Sequence, residues 1–310
     1  MKYKITHTTA YQYSTPVSIC HNVVILTPTA NRFLDVQSHR INVRPAPAVS
    51  SRRRDMFGNS VYRFSLEQVH SQLSITATSK VTVTGRELPD AAEFPSCETV
   101  VDGVTNKTDQ QWADVVPFTF DSPRIIRDTA FALYMKECIS QDQSVFAVAN
   151  KLTTRIYEDF RYDTDATQVD TPTAQAFQDR RGVCQDFAHV AVTCFRSIGL
   201  PARYVSGYLR TIPPPGKERL VGADQSHAWV SVYCGQPFGW VDFDPTNNCV
   251  AGTDHVPIAS GRDYSDVVPL KGVFLGGGEP LLNVSVDVAP EETPEPAPDS
   301  VSGTAPTADS

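Results

Sequence analysis

The run Cys184-Gln185-Asp186-Phe187-Ala188-His189-Val190-Ala191-Val192-Thr193-Cys194-Phe195-Arg196-Ser197-Ile198, closed by Gly199-Leu200-Pro201, decides the class of fold. Phe187, Val190, Ala191, Cys194, Phe195 and Ile198 recur at the spacing of one buried helix face. Gly199 stops the helix and Pro201 prevents its resumption. Strand patterns follow at Ala202 to Leu209, His227 to Cys234 and Trp240 to Asp244. A strong helix feeding such strands predicts an α+β core.

Helical periodicity extends upstream of this run. Ile125, Ile126, Ala130, Leu133 and Tyr134 suit one amphipathic helix, and Val145, Val148, Leu152, Ile156 and Phe160 a second. A third begins at Thr171-Pro172, with Thr as cap and Pro in the first turn. Residues 1–85 read instead as strands: Val23 to Leu26, Val61 to Leu66 and Leu73 to Thr78 are β-branched or alternating. Tyr62, Phe64 and Leu66 share one face, and Asp55-Met56-Phe57-Gly58-Asn59-Ser60 reads as a hairpin connection. An antiparallel sandwich or half-barrel is expected there. Residues 86–122, with Pro89, Pro95, Pro117 and several acids, read as an irregular connector between domains. Residues 123–288 form the second domain, and 289–310, rich in Pro, Glu, Asp, Ser and Thr, read as a disordered acidic tail.

Composition bounds the partners. A net charge of −8 and a pI near 5.4 argue against nucleic acid or an anionic membrane surface, which call for clustered Lys and Arg. The one basic run, Arg52-Arg53-Arg54, reads as a solvated strand edge. No apolar run approaches the ~20 residues of a membrane span, and no apolar stretch follows the first residues. The cytoplasm is the expected address. The seven cysteines, at 20, 97, 138, 184, 194, 234 and 249, include no C-x-x-C pair, so they predict neither a zinc ribbon nor a dithiol cycle.

One cysteine has chemical context. Cys184 opens the helix, facing the positive end of the macrodipole and unpaired N–H groups, which favours the nucleophilic thiolate. Gly182 is expected to let the preceding backbone turn. The plain alternative is a small buried side chain. His227 changes the balance: it heads a strand whose alternation puts His227, Trp229, Ser231 and Tyr233 on one face. If Tyr233 pairs with Phe238 across the following turn, His227 falls opposite Asp244, close enough for a carboxylate to orient the imidazole. Asp242 has the same parity, so parity alone does not separate the two carboxylates; the register and Pro245 favour Asp244.

Gly182-Val183-Cys184-Gln185-Asp186-Phe187-Ala188-His189 and Gly199-Leu200-Pro201-Ala202-Arg203-Tyr204-Val205-Ser206-Gly207-Tyr208 together resemble the core of the bacterial transglutaminase-like superfamily. Ser226-His227-Ala228-Trp229-Val230, Trp240-Val241-Asp242-Phe243-Asp244-Pro245-Thr246-Asn247 and Gly261-Arg262-Asp263-Tyr264-Ser265-Asp266-Val267 extend the likeness in order and spacing. Residues 1–85 are similar to the β domain that accompanies a bacterial branch of that family. The resemblance implies an α+β, papain-like (transglutaminase-like) core preceded by an antiparallel β-sandwich-like domain. It implies Cys184 as nucleophile, His227 as base and Asp244 as the group that orients it, with no metal or organic cofactor. Acyl transfer from an amide or peptide carbonyl of a protein or peptide follows. The resemblance names no oxyanion donors in this chain.

Other residues are expected in supporting roles. His189 lies about 140° around the helix from Cys184 and reads as packed or hydrogen-bonded support. Cys194 falls on the apolar stripe, Asp186 favours the helix start by charge, and Trp229 and Trp240 read as core or pocket wall. A zinc site from Cys184, His189 and His227 is geometrically awkward. Hydrolysis is the expected reaction, because water is always present whereas protein cross-linking requires an amine-binding groove. Glutamine γ-glutamyl transfer and a non-catalytic module retaining the fold are the alternatives.

Overall fold

The computed structural model describes residues 1–106, 110–140, 143–211, 224 and 226–291. Strand β1 (Lys2–Thr27) organises the N-terminal part by serving two half-sheets. Its first half pairs with β5 (His70–Val83), which pairs with β2 (Leu34–Arg44). Its second half pairs with β4 (Ser60–Leu66), which pairs with the edge strand β3 (Val49–Arg54). The curled sheet closes on Tyr62, Phe64 and Leu66 from one half and Val43, Leu73 and Ile75 from the other. Every residue of β3 is exposed, so Arg52 to Arg54 do form a solvated edge. Asp55 stabilises the β3–β4 turn by accepting the N–H groups of Phe57 and Asn59.

The 86–122 stretch is more ordered than its proline content suggests. It carries helices α1 (Cys97–Asn106) and α2 (Gln110–Val115), and Phe94, Val100, Val104 and Val115 are buried. Its prolines fall outside the helix interiors: Pro95 precedes α1 and Pro117 opens a short 3₁₀ turn, positions where a missing N–H costs nothing. Next come α3 (Thr129–Lys136) and α4 (Val145–Asp159), capped by Asp128 and Ser144. Ile125 and Ile126, expected in the first of these, lie before it, and Ile125 instead bridges to Ser122. The pair β6 (Arg161–Tyr162) and β7 (Arg181–Gly182) flanks α5 (Thr173–Asp179), for which Pro172 rather than Thr171 is the N-cap residue.

Helix α6 (Cys184–Ser197) packs against a second antiparallel sheet. That sheet is ordered β11 (Cys249–Val250), β10 (Trp240–Asp244), β9 (Ser226–Tyr233), β8 (Ala202–Leu209), β12 (His255–Gly261). Strands β13 (Leu270–Gly276) and β14 (Pro280–Pro290) then return to β1. The first sheet is therefore completed by the end of the chain, against the contiguous division at residues 85 and 123. Tyr3, Ile5, Val81 and Val83 also share one apolar core with Phe195, Val230 and Phe243. Ala289 and Pro290, assigned to the tail, pair with Lys4 and Tyr3 in β14; residues 292–310 lie outside the described residues. Among the described residues no helix is long and apolar enough to cross a membrane.

Candidate active site

Cys184 is half-buried and is the first residue of α6. Asp186 secures the turn before it, accepting the Val183 N–H at 2.8 Å and the Thr167 hydroxyl at 2.7 Å. The role of Gly182 is close approach: a Cβ there would collide with the Asp186 carboxylate. Glycine is thus required beneath the cysteine because a carboxylate occupies the space a side chain would need.

The hairpin β9–β10 pairs Tyr233 with Trp240, two residues from the expected Tyr233–Phe238 register. The reason is a longer turn, in which Cys234 N–H reaches Gly239 and Gly239 N–H reaches Gly235. A slip of two keeps every side chain on its face, so His227 meets Asp244 diagonally, Nε2 to Oδ2 at 2.7 Å. Asp242 goes elsewhere, accepting the Trp229 indole N–H at 3.0 Å. Cys184 lies beside His227 in the same cleft, near enough for the thiol to raise the pKa of the imidazole. With Nε2 held by the carboxylate, Nδ1 is the nitrogen left for the thiol. The structure brings Cys184, His227 and Asp244 together.

Asp244 is fully buried, and its surroundings are built for a carboxylate. Oδ2 also accepts from Asn247 Nδ2 at 2.7 Å and meets His255 Nε2 at 3.0 Å, while Oδ1 accepts the N–H groups of Thr246 and Asn247. Burial alone would raise its pKa; the hydrogen bonds from His227 and His255 outweigh that and hold it well below the usual range. Burial would lower the pKa of His227, but its hydrogen bond to Asp244, the neighbouring Cys184 thiol and the negative charge of both push it up to about 10. The two shifts agree in direction, as an imidazolium–carboxylate pair requires.

His255 is the member of this cluster that sequence reasoning missed. Gly252 N–H donates to its Nδ1 at 3.3 Å, so Nε2 carries the proton given to Asp244. His227, Asp244 and His255 offer donor atoms all within 4.8 Å of one another, a set that a transition metal could use. Here each is already engaged by a direct hydrogen bond. His189 sits apart from the cysteine, buried, accepting the Tyr264 N–H at Nε2 (3.2 Å). Cys194 is core, Trp229 is fully buried, and Trp240 is partly exposed.

A cleft of about 470 Å³ opens over Cys184 and His227. One wall comes from the N-terminal sheet: His7, Thr9 and Tyr11 of β1, with Leu282 and Val284 of β14. Tyr162, Tyr204 and Tyr264 are among its other lining residues, and none of the described lining residues is Asp, Glu, Lys or Arg. Burial lowers the pKa of His7 to about 4, so that wall is neutral at pH 7.

Fold and site define an α+β protein of the papain-like kind, with a thiol, an imidazole and a carboxylate assembled at a helix start and a sheet end. Residues 3–82 match the bacterial transglutaminase-like N-terminal region, and residues 133–245 match the transglutaminase-like superfamily. Uncharacterized proteins of Mycobacterium tuberculosis and Mycobacterium bovis are 36% identical over 306 residues, covering 94% of this chain and 93% of theirs. A Mycobacterium leprae relative is 32% identical over 288 residues, 92% of this chain and 97% of its own. The crystal structure of a candidate cysteine protease from Cytophaga hutchinsonii superposes with a TM-score of 0.74 at 22% identity, covering 96% of this chain and 92% of that one. The chain belongs to the transglutaminase-like superfamily.

Proposed function

We propose that this protein is a cysteine-dependent enzyme that hydrolyses an amide or peptide bond through a Cys184 thioester. The observation that carries this reading is the chain of contacts from Cys184 to His227 to Asp244, ending on a buried carboxylate with five hydrogen-bond donors. In the first step the Cys184 sulfur attacks the carbonyl carbon. The His227 imidazolium then gives its proton to the departing amine or ammonia as the C–N bond breaks. In the second step His227 takes a proton from water, whose oxygen forms the new C–O bond as the C–S bond breaks, releasing the Cys184 thiolate beside the restored imidazolium. Asp244 stays ionised throughout and holds the ring.

Apart from the reacting Cys184 and His227, the described cleft lining carries no Asp, Glu, Lys or Arg, which supports a neutral substrate segment. A charged side chain beside the scissile bond would lose water without gaining a partner. Burial pushes the Cys97 and Cys249 thiols up to about 11 and raises those of Cys20, Cys138, Cys194 and Cys234 as well. Iodoacetamide at neutral pH should therefore modify Cys184 ahead of the other six.

Neutral glutamine-containing peptides with a labelled primary amine test the reaction. Release of ammonia or of peptide fragments, abolished in Cys184→Ala, is the expected result. Amine incorporation would reassign the acceptor to an amine. No turnover together with no preferential alkylation would favour a non-catalytic module.

A further inference from the structure

A second cavity, of about 410 Å³, lies where the N-terminal sheet meets the β8–β12 sheet, and it shares no lining residue with the Cys184 cleft. Its floor includes Arg203 and Asp242, which flank Ser231 in the strand register. Its roof is the turn before β2, with Arg32 and Phe33, and Arg86 just after β5. Three guanidiniums thus converge on one cavity, and Asp242 is the only carboxylate among its described lining residues. That carboxylate already accepts the Trp229 N–H.

Among the described residues none of Arg32, Arg86 and Arg203 is paired directly with a carboxylate, although the charge of Asp242 acts on Arg86 and Arg203 from a distance. Arg86 donates to the Trp240 and Phe238 carbonyls, and Arg32 to that of Phe238. Carbonyls satisfy donors but supply no negative charge. The Arg203 guanidinium stacks over Trp240 at 4.4 Å, and its Nε is buried with no hydrogen-bond partner among the described residues. The Ser231 hydroxyl beneath is buried and unpartnered in the same way.

Three guanidiniums against one carboxylate leave the cavity with an excess of positive charge, and the planar arginine fork matches the oxygens of a carboxylate or phosphate. Phe33, Leu34, Val83, Trp240 and Val250 supply apolar wall beside those donors. We propose that this cavity binds a small molecule with an oxyanion head, carboxylate or phosphate, on an apolar body. The cavity shares no lining residue with the Cys184 cleft, although His255, which reaches Asp244, borders it; the proposal does not depend on the hydrolase reading.

Phenyl phosphate and phenylacetate are suitable probes, titrated calorimetrically into the full chain and followed by thermal unfolding, with chloride at matched ionic strength as control. Saturable binding of at least one probe, with a rise in Tm beyond chloride, is expected; which probe binds tells phosphate from carboxylate. Arg203→Gln and Arg86→Gln should each weaken binding at least tenfold. Should either fail to fold, Arg32→Gln, at an exposed position, should weaken binding several-fold while leaving the unliganded Tm unchanged. Absence of saturable binding by both probes, or binding untouched in every folded variant, would overturn the proposal.

Discussion

His227 is largely buried and His189 fully so, both sit near an aspartate, and one is charged while the other is neutral. His227 gives Nε2–H to Asp244 and lies beside Cys184, so its proton is held up to about pH 10. His189 lies near Asp263, but burial dominates and lowers its pKa to about 3, while its Nε2 accepts a backbone N–H from Tyr264. A ring nitrogen that must accept a hydrogen bond has no place for a proton. A nearby carboxylate therefore does not decide the charge of a buried histidine; the partner on each ring nitrogen does. The first histidine carries a proton between a thiol and a carboxylate, and the second holds the chain around residue 264.

The largest expected break is Asp244→Asn. It removes the charge that holds the imidazolium, and kcat/KM on the responsive peptide should fall by about 10²–10⁴-fold. The alkaline limb of the wild-type profile, expected near pH 10 where His227 loses its proton, should move down toward the usual range. His255→Phe takes one donor from the same carboxylate oxygen. A hydrogen bond to a charged group is worth about 1.5–3 kcal/mol, so a loss of roughly ten- to a hundredfold is expected, with a smaller downward move of that limb. A packing role alone would lower stability and leave the limb in place.

The third prediction sharpens the other half of the contrast. His189→Phe leaves the half-buried Tyr264 N–H without its acceptor and should cost about 1 kcal/mol in urea unfolding, with the alkaline limb unmoved. The pH dependence of stability separates the two histidines by sign. The raised pKa of His227 stabilises the fold fully below its usual 6.5, and that contribution is lost as pH rises through about 10. The lowered pKa of His189 does the reverse: the unfolded chain binds the proton first, so stability falls as pH drops from 6.5 toward about 3. Denaturation midpoints of wild type and His189→Gln across that acid window should converge on a shallower slope in the variant.

Much of the cysteine-bearing core was legible because its signals are local. The stripe from Phe187 to Ile198 needs only helical spacing, and the face shared by His227 and Asp244 needs only strand parity. Parity also explains why the wrong register still selected the right partner, since a slip of two residues leaves each side chain on its face. Asp242 could not be set aside by that reasoning. It was excluded by the indole of Trp229, a contact that depends on side-chain direction as well as strand register. Proline-rich spacing made residues 86–122 look irregular because composition does not say whether a proline falls inside a helix or at its edge.

What the sequence determined by itself is therefore the helix that starts at Cys184, the faces of the strands that follow, and the family to which those blocks belong. Tertiary structure alone decided the rest. It returned β13 and β14, from the end of the described chain, to β1 at its start and made part of the first sheet a wall of the Cys184 cleft. It carried His255 from the far strand of the sheet onto Asp244 and gathered Arg32, Arg86 and Arg203 around one cavity. The physical reason is that helix and strand periodicity are written in neighbouring residues, whereas sheet closure and buried polar partners depend on pairings between distant segments, which have no local signature.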